Sequence, residues 1–266
     1  MKTTKEKRLW DGTRILNMIK AFFYKKLFPI DAIVLSFPKS GRTWLRTILA
    51  KYLELEYGIP FTLELNDRKI PRNLRIGFTH NLERLKELKG CKKILLFRDP
   101  RDVVVSQYHH CKNRSKTFDG QIHEFIRDEE VGIPRIIDFM NRAWEESGSR
   151  EDCMTITYEN LHKDTYSELR AIIGFLGFRI DGEKLKEAIK FSSFDKMQQM
   201  ERDGKFNNWR LQSSNPKNKN AYKVRNGKIG NFGKELDSKD LEYVNKITMD
   251  KINRNLKDKI GLTGLN

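Results

Sequence analysis

The sequence DAIVLSFPKSGRTWLRTILAKYL, residues 31–53, has the pattern of a strand, a tight polar loop and a helix. Residues 33–37 are apolar and rich in β-branched side chains, which is typical of a buried strand. Residues 38–41 interrupt that run, and from Thr43 onward the apolar residues recur at helical spacing until Gly58. The chain therefore opens with one βα unit.

The loop between this strand and this helix has the chemistry of an anion site. Backbone N–H groups at a helix N-terminus attract anions, and the helix dipole reinforces them. Lys39 adds a positive charge, and Ser40 and Thr43 add hydroxyls. The order differs from GxxxxGK[ST], because the lysine precedes Gly41 and the usual first glycine is absent. The alternative for this stretch by itself is an ordinary turn with a solvated lysine.

Composition narrows the class of protein. The chain has 266 residues, with 52 basic against 36 acidic side chains and a formal net charge of +16, which favours an anionic partner. Its three cysteines form no CxxC pair, so neither a zinc site nor a disulfide framework is predicted, and a reducing, cytoplasmic location is expected. No apolar run approaches the length of a transmembrane helix.

Three further strands are predicted, at residues 75–79, 92–97 and 153–158, with helical patterns between them. Strands that alternate with helices predict an α/β fold, here a P-loop-type three-layer fold with a central parallel sheet flanked by helices. Ligands of such sheets bind at the carboxyl ends of the strands. Lys39, His80 and Arg98 each follow a predicted strand, so we expect them to share one cleft.

The sequence predicts a basic helical lead-in over residues 1–30 and one domain over residues 31–266. Within the lead-in, residues 19–30 mix aromatic side chains with lysines. Such a helix could pack beside the first strand or rest as a peripheral contact on an anionic membrane surface. Residues 202–234 are basic with little periodicity, which indicates a functional or disordered loop. A C-terminal helix is expected over residues 238–257.

Three separated segments resemble one family, the sulfotransferases that use 3′-phosphoadenosine 5′-phosphosulfate (PAPS). FPKSGRTW resembles the family's PKSGTTW loop, FRDPRDVVVSQYHH its 3′-phosphate motif, and KVRNGKIGNFGKE its RKGxxGxWK loop. The shorter segments FTH, TYEN and SSFDKM are similar to its KTH, YED and TSFxxM segments. The matches occur in the family's order across residues 31–237, and they resemble the cytosolic-type enzymes, in a short bacterial-type form.

The resemblance implies a donor site. Residues 39–43 would hold the 5′-phosphosulfate, Arg98 and Ser106 the 3′-phosphate, and aromatic side chains the adenine. The product would be 3′,5′-adenosine bisphosphate. The implied donor-binding residues are Lys39, Ser40, Gly41, Arg42, Thr43, Trp44, Arg98, Ser106, Tyr158, Ser192, Phe194, Arg225, Asn226 and Gly227.

The resemblance also implies a mechanism. The sulfuryl group would pass in line to a hydroxyl or amine of a small-molecule, lipid or glycan acceptor, with no metal. His80 would be the general base, and Lys39 would stabilise charge on the leaving phosphate oxygen, with Ser106 as the third catalytic residue. His109 and His110 are expected to be solvated rather than to bind metal.

The chain departs from the family's motifs at four positions. Arg42 replaces a threonine, which could add a phosphate contact or block one. Phe78 replaces the lysine of KTH, so the alignment of the acceptor is in question. Asn226 and Phe232 replace a lysine and a tryptophan. The oligomeric state is left open.

Other readings of the residues remain at this point. A P-loop nucleotide kinase would explain the first loop but needs a metal-binding acid, and the strand before Arg98 carries none. A basic nucleic-acid-binding protein would explain the net charge but lacks a recognised motif, so nucleic acid is not the expected partner. A relative that binds nucleotide without transferring anything is also consistent with the motifs.

Overall fold

The computed structural model describes residues 30–88, 90–204, 221–225 and 227–262. The predicted N-terminal helix, most of the basic loop and Asn226 lie outside these ranges.

Four parallel strands form the sheet, in the order β2-β1-β3-β4. Most of their apolar residues are buried, as expected for a sheet that is covered on both faces. Leu35 lies opposite Thr79 on one side and Leu95 on the other, so the strands end at a common edge. The strands are β1 (Ala32–Leu35), β2 (Ile76–Thr79), β3 (Lys92–Phe97) and β4 (Cys153–Thr157).

Helices cover the sheet, and several begin where sequence signals place them. The helices are α1 (Arg42–Tyr57), α2 (Glu83–Glu87), α3 (Pro100–His109), α4 (Ile122–Arg127), α5 (Ile133–Ser147), α6 (Tyr158–Lys163), α7 (Thr165–Leu176), α8 (Gly182–Phe191), α9 (Phe194–Arg202), α10 (Phe232–Glu235), α11 (Ser238–Lys251) and α12 (Arg254–Lys259). Asp99 shows how a cap sets such a boundary, because its carboxylate accepts a hydrogen bond from Arg101 N ahead of α3.

The core has two parts, one on each face of the sheet. Successive residues of a strand point to opposite faces, so Val34 packs with α1, α7 and α8 while Leu35 packs with α3, α5 and α11. The arrangement of helices, sheet and helices confirms the predicted three-layer α/β fold.

Several element boundaries differ from the sequence prediction. Strand β4 ends at Thr157, because the Thr157 hydroxyl accepts a hydrogen bond from Asn160 N and starts α6 at Tyr158. The predicted helix 238–257 is two helices, since Asn253 caps a new one. The segment 194–202, which the sequence left unassigned, is helical.

No helix among the described residues is long and apolar enough to cross a membrane.

Candidate active site

The loop that follows β1 has two residues in the left-handed region, Lys39 (φ 74°) and Gly41 (φ 93°). Helix α1 begins directly afterwards, and no side chain among the described residues caps its first turn. Position 41 requires glycine for two reasons. Its backbone is left-handed, and there is no space for a side chain, because a Cβ there would lie 2.5 Å from Cδ2 of Tyr158. The loop therefore combines an uncapped helix N-terminus with a lysine.

A cavity of about 600 Å³ lies at the carboxyl edge of the sheet. Its walls include residues that follow each of the four strands: Lys39 after β1, His80 after β2, Arg98 after β3 and Tyr158 after β4. Sequence-distant residues are thus brought together, as the alternating pattern of strands and helices predicts.

Arg98 is buried in this wall and held from several sides. Its Nη2 donates to the Lys228 carbonyl (2.9 Å) and lies 3.4 Å from the Asp102 carboxylate, and its Cζ is 4.3 Å from the centre of the Tyr158 ring. Among the described residues, no atom accepts a hydrogen bond from its buried Nε. A buried guanidinium with an unused donor suits a phosphate oxygen.

Asp102 holds the segment of residues 223–235, called here the C-terminal loop, against this wall. Its carboxylate accepts hydrogen bonds from Gly230 N (2.8 Å) and Phe232 N (3.2 Å). In the same loop Arg225 pairs with Glu235 (2.9 Å), which also contacts His109. The loop that the sequence linked to the 3′-phosphate is therefore fastened over the N-terminal end of α3.

Aromatic side chains form another part of the wall. The Trp44 indole donates to the Ser192 carbonyl (3.0 Å), and its ring meets Tyr158 edge to face. The Tyr158 hydroxyl donates to the Gly227 carbonyl (2.8 Å). Gly227 lies against Phe194, since a Cβ would come within 2.5 Å of that ring. These flat surfaces beside the cations suit a nucleobase.

His80 lies at the other end of the cavity. Its Nδ1 is 3.0 Å from the Ser36 carbonyl, which can only accept, so Nδ1 carries the proton and Nε2 has the lone pair. Arg42 donates to that Nε2. Desolvation within the cavity and the Arg42 charge lower the pKa of His80 to about 4, which keeps the ring neutral at physiological pH.

Lys39 is half-buried and faces several other cations. Burial, followed by the charge of Arg114, lowers its pKa to about 8, and Arg225 and Arg98 contribute in the same direction. Lys39 is therefore not the solvated lysine of an ordinary turn. Its charge is incompletely compensated within the protein, so an anionic ligand would be attracted to it.

The described part of the site brings together most of the residues that the sequence proposed. Ser40 and Ser192 are buried behind the cavity rather than lining it, and Asn226 lies outside the described residues. The proposed residues that do line the cavity are Lys39, Gly41, Arg42, Thr43, Trp44, His80, Arg98, Ser106, Tyr158, Phe194, Arg225 and Gly227.

The expectation that His109 and His110 are solvated is wrong. His109 contacts Glu235, and His110 lines the cavity, because the π-helical turn that follows α3 directs its ring inward. Lys223 also lines the cavity, and Glu201 anchors its backbone. Lys223 begins the KVRNGKIGNFGKE segment, but the sequence analysis did not propose it as a site residue.

No group of three or more His, Cys, Asp or Glu side chains in the described ranges could hold a metal ion.

The fold and the cavity together define a nucleotide-binding α/β protein of the P-loop type, with cations and aromatic rings placed for a phosphorylated nucleoside. The sulfotransferase domain model matches residues 29–258, and the chain belongs to that family. This membership confirms the enzyme class predicted from the sequence, a sulfotransferase that uses PAPS as its sulfuryl donor. The family that matches is not one of P-loop kinases.

Similar proteins agree with this assignment. Human sulfotransferase 2B1 is 28% identical in an alignment 191 residues long, which covers 63% of this chain and about half (52%) of that protein. Flavonol 3-sulfotransferase of Flaveria bidentis is 24% identical in an alignment 277 residues long, which covers 90% of this chain and 85% of that protein. The crystal structure of mouse sulfotransferase SULT7A1 complexed with PAP superposes with a TM-score of 0.64 at 22% identity, covering 88% and 87% of the two chains.

Proposed function

We propose that this protein transfers the sulfuryl group of PAPS to a hydroxyl or amine of a small acceptor, with His80 as the general base. The observation that carries the proposal is the orientation of His80. Its Nδ1–H is fixed on the Ser36 carbonyl, so its lone pair is on Nε2, which accepts a hydrogen bond from Arg42 in the cavity that Lys39 also lines. A neutral imidazole held in this tautomer can take the acceptor's proton.

The donor-binding residues divide into two sets. Arg98, which donates to the Lys228 carbonyl, would hold the 3′-phosphate together with Ser106 and Arg225, which line the same cavity. The uncapped N-terminus of α1 and Lys39 would hold the 5′-phosphosulfate. The volume, the cations and the aromatic wall fit that molecule.

The donor supplies a sulfur atom with a phosphate leaving group. As the acceptor oxygen bonds to sulfur, the bond from sulfur to the bridging oxygen breaks and its electron pair leaves with 3′,5′-adenosine bisphosphate. His80 Nε2 receives the acceptor's proton, and Lys39 stabilises the charge that develops on the leaving oxygen. Ser106 would hold the product's 3′-phosphate during this step.

Two measurements test the proposal. Calorimetric titration in EDTA should show binding of 3′,5′-adenosine bisphosphate but not of ATP. His80→Ala should then lower transfer by roughly 10²- to 10⁴-fold while sparing bisphosphate affinity. The matched control is His123→Ala, because His123 is exposed on α4 and does not line the cavity. Absence of bisphosphate binding, or full transfer in the His80 variant, would contradict the proposal.

A further inference from the structure

A second group of positive charges surrounds His80, in addition to Lys39, Arg98 and Arg225. Arg42 donates to His80 Nε2, and Lys223 lines the same cavity. Arg46 is 7% exposed, and its Cζ lies 4.3 Å from the centre of the Phe78 ring. After desolvation, the charges of Arg42, Lys223 and Arg46 all lower the pKa of His80.

The cations of the donor set affect a different residue. The charges of Arg98 and Arg225 lower the pKa of Lys39, whereas the charges of Arg42, Lys223 and Arg46 lower the pKa of His80. Because His80 must face the acceptor's hydroxyl, charges that gather around His80 also gather around the acceptor. Lys223 is coupled to both sets, because its charge lowers the pKa of His80 and the charge of Lys39 lowers the pKa of Lys223.

The nearby acid Glu201 has partners other than Lys223 Nζ. The buried Glu201 carboxylate accepts from Arg114 (2.8 Å) and from the backbone N–H groups of Lys223 (2.8 Å) and Val224 (2.9 Å). It therefore fixes the backbone that carries Lys223. No carboxylate in the described ranges lies within ion-pair distance of Lys223 Nζ.

We propose that the acceptor carries an anionic group, such as a carboxylate, close to the hydroxyl that it presents to His80, and that Lys223 and Arg42 bind this group. The inference rests on the proposed function, because it names the acceptor class of the same site.

The energetics favour an acidic acceptor over a neutral one. Burial, followed by the charges of Lys39 and Arg114, lowers the pKa of Lys223 to about 7. A neutral apolar acceptor would dehydrate this lysine further without compensating its charge, whereas an anion would offset that cost. An anion would also draw the Arg42 guanidinium from His80 Nε2 and so release the lone pair that accepts the proton.

Matched pairs of acceptor probes test the inference by binding as well as by turnover. The probes are 4-hydroxyphenylacetate and its amide, glucuronate and glucuronamide, and 4-hydroxybenzenesulfonate and its sulfonamide. The first two pairs test a carboxylate, and the third tests a sulfonate. Each is titrated by calorimetry into protein saturated with 3′,5′-adenosine bisphosphate, and transfer from PAPS is measured in parallel.

In at least one pair, the acid should bind ten-fold or more tightly than its amide. Lys223→Met should remove that preference without weakening the amide, and Lys223→Glu should reverse it. Lys186→Met is the control that should keep the preference, since Lys186 is exposed on α8 and does not line the cavity. Bisphosphate affinity should stay within about three-fold in the Lys223 variants.

Three outcomes would overturn the inference. Equal binding of acids and amides, or no binding of any probe, would do so while bisphosphate binding left the proposed function intact. A loss of bisphosphate affinity in Lys223→Met as large as the loss of acid affinity would assign Lys223 to the donor. Failure of the wild-type protein to bind bisphosphate would overturn the proposed function as well.

Discussion

Gly41 offers a sharp test of how the first loop supports the donor site. In Gly41→Ala the new Cβ would lie 2.5 Å from Tyr158 Cδ2, so the ring or the loop must move by about 1 Å to restore ordinary carbon contacts. A left-handed backbone costs a non-glycine residue about 1–2 kcal/mol, and overpacking typically adds about 1–3 kcal/mol. The expected loss of unfolding free energy is therefore about 2–5 kcal/mol.

Gly58 is the matched control, because it is also left-handed (φ 67°) but a Cβ there meets no atom within 4 Å. Gly58→Ala should lose only the backbone contribution, about 1–2 kcal/mol. Both variants can be compared by urea denaturation of the purified proteins, with fluorescence as the readout.

The two variants should also differ in ligand binding. Movement of the Tyr158 ring displaces the surface on which Arg98 rests and strains the hydrogen bond from Tyr158 to Gly227. Loss of one charge-assisted hydrogen bond to the 3′-phosphate would weaken bisphosphate affinity by about 10- to 100-fold in Gly41→Ala. Equal losses of stability in the two variants, together with unchanged bisphosphate affinity, would refute this reasoning.

Three further perturbations follow from the charges around the cavity. Bisphosphate affinity should fall as pH rises through about 8, because Lys39 loses its proton there in the free protein. Titration in buffers of different ionisation enthalpy should show proton uptake on binding, and an affinity that is flat from pH 7 to 9 would contradict this role of Lys39. Glu201→Gln should cost about 3–5 kcal/mol of unfolding free energy, since the buried Arg114 loses its carboxylate partner; an unchanged urea midpoint would exclude that role. Asp102→Asn should raise hydrogen exchange at Gly230 or Phe232, because their amides donate to different carboxylate oxygens and asparagine keeps only one acceptor oxygen; unaltered protection at both would show that other contacts hold the loop.

The fold was accessible from sequence because its signals are local. Strand β3 ends in a continuous apolar run, residues 94–97, and Asp99 and Pro100 mark the start of α3 within three residues of that end. Such patterns fix the order of strands and helices. The carboxyl-edge rule then places Lys39 and His80 in one cleft without knowledge of any contact.

Other features of the site depend on three-dimensional packing and have no local signature. His110 faces the cavity because a π-helical turn follows α3, and nothing in the sequence marks that turn. The role of Glu201 depends on Arg114 and on the backbone of residues 223–224, which lie far from it in sequence. Arg42 could be noted as a departure from the family's motif, but its contact with His80 could not be foreseen.

The four-stranded parallel sheet has a consequence for folding. Each pair of neighbouring strands is separated by a crossover connection, so Lys39, His80, Arg98 and Tyr158 converge only when every strand has joined the sheet. A partly folded chain would lack the cavity and could not recognise the nucleotide. Bisphosphate should therefore stabilise the whole domain against unfolding, and raise its unfolding free energy by about 2.7 kcal/mol at a ligand concentration of 100 Kd.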